Sequence, residues 1–106
     1  MPKYLWQISY TAEGVTGLLK DGGSKRRSVA EKALKTVGGK LEVFYYAFGD
    51  ADAFAIADLP DNVSVAAAAL GINATGAVVV KTTVLLTPEE IDQASKKSFA
   101  YRPPGR

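Results

Sequence analysis

The chain has 106 residues, 47% of them hydrophobic, with 13 Lys and Arg against 11 Asp and Glu. That is the length of one domain, and a net charge of +2 is too small to mark a nucleic-acid binder. Cysteine and histidine are both missing, which removes disulfides, thiolate nucleophiles, zinc–sulfur sites, Ser-His-Asp chemistry and most transition-metal sites.

Lys3 to Tyr10 alternates as a strand, with Tyr4, Trp6, Ile8 and Tyr10 on one face. Thr11 is placed to cap a short helix to Lys20, with Val15, Leu18 and Leu19 on its inner side. Asp21-Gly22-Gly23-Ser24 interrupts it, because adjacent glycines are costly inside a helix. Ser24 then caps a helix to about Val37, whose inner face is Val29, Ala30, Ala33, Leu34 and Val37; Gly38-Gly39 stops it.

Two apolar runs, Leu41–Phe48 and Ala53–Leu59, flank Gly49-Asp50-Ala51-Asp52 and predict a β-hairpin. A helix follows Pro60-Asp61-Asn62, with a buried stripe of Val63, Ala66, Ala67 and Leu70 and Gly71 as its terminator. Ala77 to Leu86 is the fourth strand. Thr87-Pro88-Glu89-Glu90 is a capping box with proline at the first helical position, and opens a last helix to about Lys97. The order predicts an α+β, ferredoxin-like βαββαβ fold with a four-stranded antiparallel sheet and an added helix. Residues 1–98 form the domain and 99–106 a tail.

Asp50 and Asp52 could bind a hard cation or act as a perturbed base, but Asp at a turn more often bonds nearby backbone N–H groups. Lys25-Arg26-Arg27 sits at a helix start, where an anion would relieve the charge; a solvated face is the plainer reading. The aromatic set Tyr4, Trp6, Tyr10, Phe44, Tyr45, Tyr46, Phe48 and Phe54 suits either a ligand pocket or a core and subunit interface. Lys81, the one charge in its strand, suits either an anionic ligand or an edge strand guarded against aggregation.

The strands lack an alternating polar face. In the second, Leu41, Val43, Tyr45 and Ala47 oppose Phe44, Tyr46 and Phe48; in the third, Ala53, Ala55 and Ala57 oppose Phe54 and Ile56. One sheet face therefore needs a partner, which predicts a homodimer or higher homo-oligomer. The alanine row is assigned to the helices, and Phe54 and Ile56 to the partner. No apolar run reaches the ~20 residues of a membrane span, and Met1–Gln7 begins a strand pattern, so the expectation is a cytoplasmic protein with no membrane or nucleic-acid partner.

Tyr10-Thr11-x-Glu13-Gly14, Gly38-Gly39-Lys40-Leu41, the hairpin turn, Asp58-Leu59-Pro60-Asp61-Asn62 and Lys81-Thr82 through Glu90 together resemble the GYD domain family, small bacterial and archaeal proteins of unassigned function. Gly49 and Asp52 match the family's turn, while Ala51 stands where the family has tyrosine. The resemblance implies the dimeric α/β barrel group, which includes both enzymes and regulatory modules, so it does not choose a chemistry. The expected function is a ligand-binding or regulatory module that needs no cofactor and no metal. The alternative is a cofactor-free enzyme acting on a small aromatic or carbonyl substrate. The ligand candidates are Trp6, Tyr45, Tyr46, Asp52 and Lys81. An enzyme would require Tyr45 or Tyr46, Lys81 and Asp52 to converge in one pocket.

Overall fold

Eight elements follow one another in the computed structural model, which describes all 106 residues. They are β1 (Lys3–Tyr10), α1 (Ala12–Asp21), α2 (Gly23–Lys35), β2 (Lys40–Tyr46), β3 (Ala53–Asp58), α3 (Asn62–Asn73), β4 (Val78–Leu85) and α4 (Pro88–Ser95). The strands make one antiparallel sheet in the order β2-β3-β1-β4. This is the ferredoxin-like α+β arrangement, with its first crossover split into two helices at Gly22, whose φ of 86° suits glycine. Gly22 also occupies the N-cap of α2 with no side-chain bond, so Ser24 is not the cap the sequence suggested.

Register assigns the faces. Tyr4, Trp6 and Ile8 lie opposite Ala57, Ala55 and Ala53 on one side and Val84, Thr82 and Val80 on the other. Side chains alternate along a strand, so these residues share a face. Tyr4, Trp6, Ile8, the three alanines and Val80 join Leu34, Leu59 and Val65 in the buried core beneath α2 and α3. The alanine row does meet the helices, and Phe54 and Ile56 point to the opposite, open face.

The face assignment for β2 needs correction. The ladder shifts between Leu41 and Val43, so Leu41 pairs with Ala57 and shares the helix face with Phe44 and Tyr46. Glu42 is the residue inserted at the bulge, and strict alternation fails there. Its carboxylate instead takes a 2.7 Å ion pair from Lys3, which also reaches Asp58 at 2.8 Å. The open face thus carries Leu5, Val43, Tyr45, Phe54, Ile56, Val79 and Leu85, together with the polar Lys3, Gln7, Ser9, Asp58, Lys81 and Thr83.

Two inner stripes also differ. In α3, Val63 and Leu70 are 79% and 71% exposed, whereas Val65 is buried and Ala68 and Ile72 pack on the core. The helix is apolar nearly all round, so spacing alone fits two phases. The phase is set from its start. Asp61 accepts the Ser64 N–H at 2.8 Å, and the Tyr4 hydroxyl donates to Asn62 Oδ1 at 2.7 Å, fixing the helix over β1. Gly71 lies inside α3; the reversal comes later, at Gly76 with φ 74°. In α1, Val15 and Leu19 are exposed, Leu18 is half-buried and Gly14 is the buried residue. Thr11 caps α1 through the Gly14 N–H at 3.3 Å, and its own N–H donates to the Ala77 carbonyl at 3.0 Å.

The capping box on α4 is complete, with Thr87 and Glu90 bonding each other's backbone N–H groups at 2.9 and 3.1 Å. Yet every residue from Leu86 to Arg102 is exposed. The radius of gyration is 17.0 Å, against about 13 Å for a compact chain of this length. The C-terminal segment therefore projects from the body. No helix is long and apolar enough to cross a membrane.

Candidate ligand cleft

Between α2, α3 and the sheet lies a cleft of about 400 Å³, and sixteen of its twenty lining residues are hydrophobic. Trp6, Ile8, Ala55 and Val80 give the sheet side, Val29, Ala30 and Ala33 come from α2, and Ala67, Ala68 and Ile72 from α3. The space exists because the facing side chains are small. A row of alanines on β3, alanines along α3 and Gly71 leave a gap that larger residues would close. Val29 remains 40% exposed although it sits on the predicted inner face of α2, because nothing fills the space in front of it.

The polar groups are few. Arg26, Thr36 and Thr75 line the cleft, and Arg26 is the one charged residue among its walls. Its guanidinium meets only Asp21, at 3.7 Å, outside ordinary hydrogen-bond distance. Tyr10 also lines the cleft. Burial pushes its phenol up to about 12, the neighbouring Tyr46 adding to the rise and Arg26 opposing it, so it stays neutral and can donate at physiological pH. Tyr46 packs edge-on to Phe44 with centroids 5.1 Å apart and donates to the Gly23 carbonyl at 3.2 Å. Trp6 is buried, and its indole N–H has no partner.

The candidate residues from the sequence are divided among three places. Trp6 is in the cleft wall, and Tyr46 is beside the lining residues Phe44 and Tyr10. Tyr45, 70% exposed, and Lys81 are on the open face, separated by the two intervening strands. Strand spacing puts them roughly 14 Å apart or more. Asp52 closes the hairpin: its Oδ2 accepts the Tyr10 N–H at 2.7 Å, its N–H donates to the Ile8 carbonyl at 2.8 Å, and its carbonyl accepts from Ala47 at 2.8 Å. Asp50 and Gly49 are exposed at the turn. Tyr45 or Tyr46, Lys81 and Asp52 thus do not meet in one pocket. Sequence reasoning weighed an anion at the Lys25-Arg26-Arg27 triplet but preferred a solvated face, and it passed over Thr36, Thr75 and the small residues that open the cleft. The available signal was the row of small residues on facing elements.

The family-like segments have structural tasks. Thr11 and Gly14 seat α1 against Ala77; Gly39 lies so close to Leu34, Asp58 and Leu59 that a Cβ would meet all three within 3.2 Å; Leu59 is fully buried; Asp61 and Asn62 start α3; Thr87 and Glu90 start α4. These segments hold the fold that frames the cleft, and Arg26, Thr36 and Thr75 lie outside them. Among curated proteins none matches the chain. The model of the GYD domain matches residues 4–95, nearly the whole chain, which therefore belongs to the GYD domain family.

Proposed function

We propose that this protein is a small-molecule-binding module that holds an apolar ligand in the cleft between α2 and α3. The cleft itself carries the reading: about 400 Å³ of apolar space with a few polar groups at its walls, within the usual range for ligand sites. The lack of convergence among Tyr45, Tyr46, Lys81 and Asp52 favours a binding module over the enzyme alternative. Trp6 is the chain's one tryptophan and lies in the wall, so its emission is a built-in reporter. Titration with an uncharged probe, 1-decanol, should give a saturable change in Trp6 fluorescence, matched by a bound mass in native mass spectrometry. Gly71→Leu should abolish both, because Gly71 lines the cleft and has open space where its side chain would go. A parent protein that shows neither signal with 1-decanol, nor with its carboxylate and amine counterparts, overturns the proposal.

The same proposal includes a homodimer through the open sheet face. Leu5, Val43, Phe54 and Ile56 form an apolar centre there, and no helix covers it. Four strands of seven or so residues present roughly 500 Å² per copy. Two copies together reach the roughly 1,000 Å² that a specific interface needs. A twofold axis would set this same patch of each copy against the other. Light scattering should give a dimer mass, and Ile56→Glu should give a folded monomer. A parent that is monomeric at micromolar concentration refutes this part.

A further inference from the structure

We propose that the ligand is an amphipathic carboxylate, its apolar body in the cleft and its head group against Arg26. This rests on the cleft reading above and adds the chemistry of the ligand's polar end.

The walls present one positive charge and no carboxylate. Arg26 offers five N–H donors in a planar fork, and its side chain makes no hydrogen bond within the chain. The nearby Asp21 is shared: Lys25 approaches it at 3.8 Å and Arg26 at 3.7 Å. Arg27 turns to Glu31 at 4.0 Å. One carboxylate therefore faces two cations. Arg26 also lies in the first turn of α2, which has no acidic residue and no side-chain cap. The helix start adds positive potential to that of the guanidinium.

Tyr10 extends the polar end. Its phenol stands close enough to Arg26, Tyr46 and Asp52 to feel all three; Asp52 is held by the Tyr10 N–H, and a neutral phenol beside a guanidinium is a second donor for a carboxylate oxygen. Elsewhere the lining is apolar. A small inorganic anion would leave that surface empty, an alkylammonium would meet Arg26 with like charge, and an alcohol would leave the guanidinium unanswered. A carboxylate on an apolar body satisfies both ends, because its two oxygens match the guanidinium fork.

The test compares three probes with the same chain, decanoate, 1-decanol and decylamine, by Trp6 fluorescence at pH 7.5. Decanoate should bind about tenfold or more tightly than decanol, the usual effect of one charge-assisted contact, and decylamine most weakly. Arg26→Gln should bring the decanoate-to-decanol ratio close to one, whereas Arg27→Gln should leave it intact. Added salt should weaken decanoate more than decanol. Equal binding of decanoate and decanol by the parent overturns the head-group assignment while leaving the cleft reading standing. A preference that survives Arg26→Gln overturns the role of Arg26. Failure of all three probes to bind overturns the cleft reading as well.

Discussion

Gly14 is the position where a single methyl group should do most harm. It is the buried residue of α1, at the point where that helix meets the start of β4. A Cβ there would collide with the Ala77 carbonyl oxygen, come within 3.0 Å of its carbon and lie 3.1 Å from Tyr10 Cδ1. The obstacle is backbone, so it cannot swing aside as a flexible side chain would. The same carbonyl accepts the Thr11 N–H at 3.0 Å and its hydroxyl at 3.2 Å, so any retreat also loosens the cap of α1. Overpacking against rigid neighbours costs about 3 kcal/mol. Alanine regains about 1 kcal/mol over glycine in a helix, which leaves a net loss of about 2 kcal/mol for Gly14→Ala. That is a large share of the ~5–10 kcal/mol expected for a domain of this size.

Gly17 supplies the control, one turn along the same helix, with nothing within 4 Å of its would-be Cβ. Gly17→Ala should stabilise by about 0.5–1 kcal/mol. Urea melts of the two variants should therefore have midpoints between about 1 and 3 M apart, on opposite sides of the parent. If Gly14→Ala melts at or above the parent, the close approach of α1 to β4 is wrong. If both variants melt above the parent, helix propensity and not the contact governs the site.

Asp52→Ala should destabilise by about 1–3 kcal/mol, because the part-buried Tyr10 N–H loses its acceptor, while Asp50→Ala should stay within about 0.5 kcal/mol; chemical melts that move equally for both would refute the distinction. Thr87→Ala should speed amide exchange at Glu90 and Ile91 without moving the global unfolding midpoint, since α4 has no buried residue to tie its fate to the body; a lowered global midpoint would contradict this. The Tyr10 phenol is raised from 10 to about 12 on folding, so its contribution is fully present below pH 10 and is lost as pH rises toward 12, where the unfolded chain ionises first. The slope should be less than about 1.4 kcal/mol per pH unit because the group is only half-buried, and subtracting a Tyr10→Phe titration should isolate it; a difference that stays flat from pH 9 to 12 would refute the burial.

Much of the fold was readable because its signals are local. The Thr87 capping box, the Thr11 cap, the Gly38 stop and the alternation in β1 each act within a few residues, and each appears where spacing put it. What failed depended on partners distant in sequence. The two phases of α3 differ only in which side the core lies on, and the deciding contact is a hydrogen bond from Tyr4, 58 residues away. The faces of β2 turned on one inserted residue, Glu42, whose effect exists only against β3. The candidate site was less legible still, since Trp6 alone among the five ligand candidates lines the cleft.

The departures from ordinary sequence rules are not scattered. Gly71 sits inside α3 at a cost of about 1 kcal/mol relative to alanine. Val29 is left half-open on an inner face, Trp6 buries an indole N–H without a partner, and Arg26 stands in the first turn of a helix that lacks an acid and a side-chain cap. Each is unfavourable or at best neutral for stability, and all four residues line the same cleft. A Cβ at position 71 would meet nothing within 4 Å, so a larger residue would raise helix propensity without a clash, and local sterics do not account for the glycine. Where several local rules are relaxed around one space, a requirement other than folding is the economical explanation. An apolar guest with an acidic head would answer three of them at once, by filling the gap at Gly71, covering Val29 and neutralising Arg26.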